Sequence, residues 1–225
     1  MKYKLLCCQF IGFFFLCGCL NSKQAESIAV LNHQTINLDE DFVGYGGFLA
    51  LHQDIIVGIE MASSMPPFFY FKQNGSSQTL SHFGNRGQGP NDFLMPYSIQ
   101  YIHNQTMGTW NLMTGTYYEF RIPNENEELK IDKKIRFETP LTRITKTSFN
   151  QYIGLSADER MFLLADSTGK PIHTFFEYPY QDNDERQFAT RAHAYQGTLA
   201  TNPSKNKFVY SSFHGEIIHF YAISA

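Results

Sequence analysis

Apolar and polar residues alternate along this chain in short runs separated by turn residues. No window of a dozen residues keeps apolar positions at i, i+3, i+4 and i+7, so the pattern predicts strands and no convincing helix. Aligned on their turns, the runs form repeating units. The first reads YGGFLALHQ, DIIVGIEMASS, PFFYFKQNG and SSQTLSHFG, and the second reads YSIQYIHNQ, TMGTWNLMTG, TYYEFRIPN and LKIDKKIRF. The third reads TRITKTSFN, QYIGLSADE, RMFLLADSTG and KPIHTFFEYP, and the fourth GTLATNPSKN, KFVYSSFHG and EIIHFYAIS. Units begin near Tyr45, Tyr97, Thr142 and Gly197, a period of about 45 to 55 residues. Asn74-Gly75 and Thr168-Gly169 both separate a third strand from a fourth, where a tight hairpin needs the positive φ that glycine supplies. Four antiparallel strands repeated at this period predict an all-β chain of β-propeller blades, each sheet covering its neighbour's apolar face.

The stretch SHFGNRGQGPNDFLMPYSIQ, residues 81 to 100, joins the first unit to the second. In a propeller this segment must travel from the outer rim back to the central channel. Gly84, Gly87 and Gly89 permit sharp turns, Pro90 and Pro96 fix φ and halt strand pairing, and Phe83 and Phe93 are expected to anchor the corner between blades. Phosphate-cradling readings fail on spacing. No Lys-Ser/Thr follows the glycines as a P-loop requires, and the order is Gly-x-x-Gly-x-Gly before a strand instead of Gly-x-Gly-x-x-Gly before a helix. Arg86 and Gln88 are expected to stabilise the turn.

The N-terminus differs in kind. Lys2 and Lys4 precede an apolar run from Phe10 to Cys17 that is too short for a membrane span and reads as an export signal. Leu16-Cys17-Gly18-Cys19 resembles a bacterial lipobox, which implies cleavage before Cys19 and acylation of that residue. The expected organisation is a signal peptide at 1–18, a small polar tether at 19–27 and a propeller at 28–225, with residues 28 to 38 as an extra strand near the N-terminus. All four cysteines lie in the leader, which leaves no disulfide framework or thiolate site in the mature chain. Losing Lys2 and Lys4 leaves 16 basic against 21 acidic residues, a net charge of −5 without a basic cluster, which argues against nucleic acid as a partner. The 21 Phe and 13 Tyr suit strands.

Candidate chemistry is sparse. Eight histidines are scattered over different units, and His214 and His219, five apart on one strand, would face opposite sides. Asp182, Asp184 and Glu185 lack the glycine and distal glutamate of an EF-hand loop, and no Gly-x-Ser-x-Gly elbow occurs. Trp110, Tyr117 and Tyr118 are expected in inter-blade packing, with sugar stacking as the functional alternative. Asp166-Ser167-Thr168 resembles a short O-glycosylation acceptor. No catalytic residue, metal ligand or cofactor site is assigned.

FGNRGQGPNDFLMPYSIQYI resembles the inter-blade motif of NHL-type propellers, and AYQGTLATNPSKNKFVYSSFHGEIIHFYAIS, residues 194 to 224, resembles a signature of the TolB-like six-bladed propeller lipoproteins. The resemblance implies a six-bladed propeller on the bacterial envelope, lipid-anchored and in the outer membrane, and supplies no catalytic set to carry over. Six blades need on the order of 250 residues, whereas about four are present here, so the chain is expected to be a truncated member, the alternative being a four-bladed ring in which the strand at 28 to 38 latches onto the fourth unit. The expected role is binding or scaffolding of an envelope protein or glycan, with the membrane held through the lipid. The alternative is a glycan hydrolase or lyase with carboxylates gathered at the channel.

Overall fold

A computed structural model of the chain describes residues 46–62, 64–74, 77–124, 127–157, 160–178, 193–214 and 216–223. Val43–Ala225 forms one compact unit. Fifteen strands occur among its described residues, each in a run marked out by the alternation: β1 (Gly46–His52), β2 (Ile55–Glu60), β3 (Phe68–Asn74), β4 (Ser77–Phe83), β5 (Pro96–His103), β6 (Thr106–Asn111), β7 (Thr116–Arg121), β8 (Ile131–Arg136), β9 (Leu141–Lys146), β10 (Tyr152–Ser156), β11 (Arg160–Ala165), β12 (Pro171–Glu177), β13 (Gly197–Thr201), β14 (Lys207–Ser212) and β15 (Ile218–Ala222). They pair antiparallel in four separate sheets of the order β1-β2-β3-β4, β5-β6-β7-β8, β9-β10-β11-β12 and β13-β14-β15. The chain is thus an all-β propeller with four blades among the described residues, the fourth showing three strands. The extra strand expected at 28 to 38 lies outside the described residues, as do Cys19 and the rest of the leader and tether.

Inner strands β1, β5, β9 and β13 adjoin one another in sequence order around the axis. Each seam between consecutive blades has its own core. Val57, Ile59, Phe68, Phe83 and Phe93 meet Met107, Tyr118 and Phe120 between blades 1 and 2. Trp110, Tyr117 and Ile135 meet Leu141, Ile144, Tyr152 and Leu163 between blades 2 and 3. Ile153, Leu155 and Phe162 meet Phe208 and Tyr210 between blades 3 and 4.

Middle strands serve two seams at once, because successive side chains point to opposite faces. Tyr117 joins the core between blades 2 and 3, while its neighbour Tyr118 joins the one between blades 1 and 2. For that reason β6 and β10 are buried along their whole length and read as continuous runs, whereas β8 alternates and β12 is largely exposed. Hairpin turns follow the glycine logic: Gly115 and Gly169 take φ of 59° and 88°.

Candidate functional site

Two places invite chemistry: the corner between blades 1 and 2, and the channel framed by the four inner strands.

In the corner, Phe83 ends β4 and Phe93 is fully buried, its ring 4.8 Å from Phe68 edge-on and 4.9 Å from Tyr118. Gly84 takes φ 82°, a left-handed conformation that strains any residue with a Cβ. A Cβ on Gly87 or Gly89 would collide with the Asp92 carboxylate, which accepts the Gly89 amide at 2.9 Å. The Phe93 amide donates to Asn85 O at 2.9 Å, closing the loop. Arg86 donates from Nε to Met65 O at 2.8 Å and from Nη2 to Glu60 O, and Lys134 donates to Pro90 O. Pro96 opens β5. Nε and Nη2 of Arg86 are therefore engaged by the backbone of blade 1, and burial pushes its pKa down against the opposing pull of Glu60. The arrangement is a structural clasp.

The channel is a cavity of about 680 Å³ with walls from β1, β5, β9, β13 and the loop after β13. Aliphatic side chains of Leu49, Leu51, Ile99, Ile144 and Leu199 line it, and His52 stacks flat on Tyr101 with ring centroids 3.6 Å apart. Its charged residues are Arg143 and Lys205; no Asp or Glu is in its described lining. A second cavity of about 580 Å³ lies toward the outer rim of blades 1 and 2, where Glu127 and Glu128 are exposed.

Arg143 is the most unusual group in the channel. It is 2% exposed, and its guanidinium carbon sits 3.9 Å from the Tyr97 ring centroid, 5.2 Å from Phe48 and 5.5 Å from Phe213. Such cation–π contacts suit arginine, whose delocalised charge is weakly hydrated. Nη1 donates to Thr142 O at 2.8 Å, whereas Nε and Nη2 have no hydrogen-bond partner among the described residues. Burial lowers its pKa, and Tyr97 opposes that shift.

Three residues along β9, Lys146 has its counter-charge. Its Nζ lies 2.7 Å from Glu119 Oε1, which also accepts the Tyr152 hydroxyl at 3.0 Å. Gln100 Oε1 accepts the Lys146 amide at 2.6 Å, the Thr145 hydroxyl and the Tyr117 hydroxyl, so one amide ties β5, β7 and β9 together. Burial first, then Glu119, raises the Tyr152 pKa, and burial also raises that of Tyr117. Lys205 donates to Ile102 O, and burial followed by repulsion from Lys146 lowers its pKa.

The remaining sequence candidates do not converge. Trp110 is buried in the seam between blades 2 and 3 beside Tyr117, donating from Nε1 to Leu141 O at 3.2 Å, while Tyr118 is buried in the seam between blades 1 and 2. His214 lies in the turn after β14 and His219 on β15, which corrects the reading of both on one strand. No metal-ligand group of three or more His, Cys, Asp or Glu occurs among the described residues. Asp182, Asp184 and Glu185 lie outside them. Asp166 Oδ1 accepts from the Thr168 amide and hydroxyl and the Lys170 amide, making a closed turn. Sequence reasoning missed Arg143, Gln100 and Glu119. The signal available for Arg143 was the polar inner run TRITKT, whose single apolar residue is too few for a strand between two packed neighbours.

Several solved structures align with part of the chain. A Bacteroides fragilis protein that bears the name of an exported protein aligns at 10% identity and TM-score 0.49, covering 79% of this chain and 50% of its own. The computationally designed Ika4 protein aligns at 13% identity and TM-score 0.45, covering 86% of this chain and 100% of its own. A Bacteroides thetaiotaomicron protein of unknown function aligns at 14% identity and TM-score 0.46, covering 81% and 48%. The chain thus spans about half the length of the two natural proteins. No curated protein matches it. Residues 25–222 match the family model described as TolB-like 6-blade propeller-like, and the chain belongs to that family.

Proposed function

We propose that this chain is a lipid-anchored propeller of the bacterial cell envelope that binds or scaffolds a ligand at its channel and does not catalyse a reaction. The Leu16-Cys17-Gly18-Cys19 lipobox supports the anchor, with Cys19 acylated and the membrane, by preference the outer one, as the first partner. One observation carries the binding role: the channel wall combines aliphatic and aromatic surface with two cationic residues and no described Asp or Glu. Glycan hydrolysis needs an acid–base pair of carboxylates across the cleft, and that lining supplies none. Glu127 and Glu128 stand at the rim, exposed. An envelope protein or glycan is the expected partner.

Two experiments test this reading. Metabolic labelling with a fatty acid should mark the chain, and Cys19→Ser should abolish the label; label that survives the substitution removes the anchor. A pull-down from envelope extract with the unlipidated chain should recover a stoichiometric partner. Turnover of envelope polysaccharide by the same preparation would overturn the binding role.

A further inference from the structure

We infer that the channel is a carboxylate-binding site in which Arg143 grips the acid group of a small ligand with an apolar body. The inference rests on the binding role proposed above and names the chemistry of the ligand.

The two nitrogens of Arg143 without a described partner are Nε and Nη2. They form one edge of the guanidinium and point two N–H bonds in parallel, the spacing that matches both oxygens of a planar carboxylate. The third nitrogen is occupied by Thr142 O, which fixes the plane of the group. Tyr97 at 3.9 Å and Phe48 at 5.2 Å hold it further. A side chain buried to this degree with two idle donors is costly unless something pairs with it, because a desolvated cation loses its water without recovering a counter-charge. Thus the site is built before its occupant arrives.

Three features select the class of ligand. One guanidinium edge neutralises one negative charge, and the channel's other cation, Lys205, already donates to Ile102 O, which suits a carboxylate better than a phosphate monoester carrying nearly two charges at neutral pH. Ile99, Ile144 and Leu199 give the wall an apolar part for the body of the ligand, beside the hydroxyl-bearing Ser98, Thr145 and Thr198. The volume of about 680 Å³ is that of a small-molecule pocket. Phe213, 51% exposed, is the wall of the cage that can change rotamer to admit the acid without unpacking a seam.

The test is calorimetric titration of the full chain with benzoate, 4-phenylbutyrate and octanoate, each against its uncharged alcohol, and with inorganic phosphate. At least one acid should bind, its alcohol should not, and phosphate should not. Arg143→Lys, which keeps the charge and loses the fork, should weaken that acid on the order of a hundredfold. In thermal melts without ligand, Arg143→Met should unfold no lower than the parent, since it removes an uncompensated charge. Equal binding of acid and alcohol, tighter binding of phosphate, or unchanged affinity in Arg143→Lys would each overturn the inference. So would a large loss of stability in Arg143→Met, which would mean that another part of the chain already pairs with the guanidinium. If no acid binds while the envelope pull-down still recovers a partner, this inference falls and the binding role stands. If both come back empty, both fall.

Discussion

Arg143 and Lys146 lie three residues apart on β9, both are cations drawn out of water, and their surroundings could hardly differ more. Lys146 meets Glu119 at 2.7 Å with both side chains at most 11% exposed, the Tyr152 hydroxyl donates to the same carboxylate oxygen, and Gln100 accepts the Lys146 backbone amide. Arg143 meets three rings and one carbonyl, and two of its nitrogens are idle among the described residues. Burial alone therefore does not distinguish a structural charge from a functional one. What separates them is whether the protein supplies the counter-charge. Lys146 belongs to the seam that fastens blade 2 to blade 3, whereas Arg143 faces the channel with its electrostatics unfinished.

The strongest way to break this contrast is to remove a counter-charge. Glu119→Ala leaves Lys146 and Tyr152 buried without their acceptor and should cost about 3–5 kcal/mol of unfolding free energy. Arg143→Met should cost almost nothing by the same urea titration. If the two substitutions destabilise equally, the distinction between a paired and an idle cation is wrong.

A smaller effect probes the packing around the pair. Gly108 lies in β6 where a Cβ would run into the Tyr117 hydroxyl, so Gly108→Ala must push that ring aside. Tyr117 would lose its bond to Gln100, which clasps β9 at Lys146. Overpacking of this kind costs about 1–3 kcal/mol. Carboxylate binding at Arg143, anchored by Tyr97 and Phe48, should be unchanged. A parallel loss of binding and stability would show that seam and channel act as one unit.

The corner supplies a control with strain and no charge. Gly84→Ala forces a Cβ onto φ 82° and brings it to 3.1 Å from Pro67, for a loss of about 1–2 kcal/mol. The loss should appear in denaturation and leave the channel's ligand response intact.

How much of this was legible beforehand follows from the range of each interaction. Strand positions are local: Thr114-Gly115 and Thr168-Gly169 mark their hairpins, and the alternation in β8 announces one covered face. The corner was legible for the same reason, since three glycines and two prolines within 13 residues admit few other conformations. Gln100 and Thr145 are 45 residues apart in sequence and 3.2 Å apart in space, and no local pattern announces such a meeting. Arg143 is harder still. Its character depends on partners that are absent from its shell, and a string of residues does not display what fails to approach. A carboxylate pair at the channel was the alternative reading of the sequence, and no Asp or Glu is in the described channel lining.

Asp166 offers the gentlest test, because it is a half-exposed charge with every partner local. Its Oδ1 accepts three donors from Thr168 and Lys170 at 2.7–3.0 Å. The Thr168 hydroxyl and amide hold the carboxyl below its ordinary value of 3.8, with smaller help from Lys170. A carboxylate with a depressed folded-state pKa adds stability above its unfolded pKa and loses it as pH falls through the folded value. Asp166→Ala should therefore lower the denaturation midpoint slightly at neutral pH, and the gap to the parent should close as pH falls through the depressed folded-state value. If the Asp166 variant instead shows the larger and pH-independent loss, then solvent exposure, and with it the ranking of the three charges, does not govern stability in these blades.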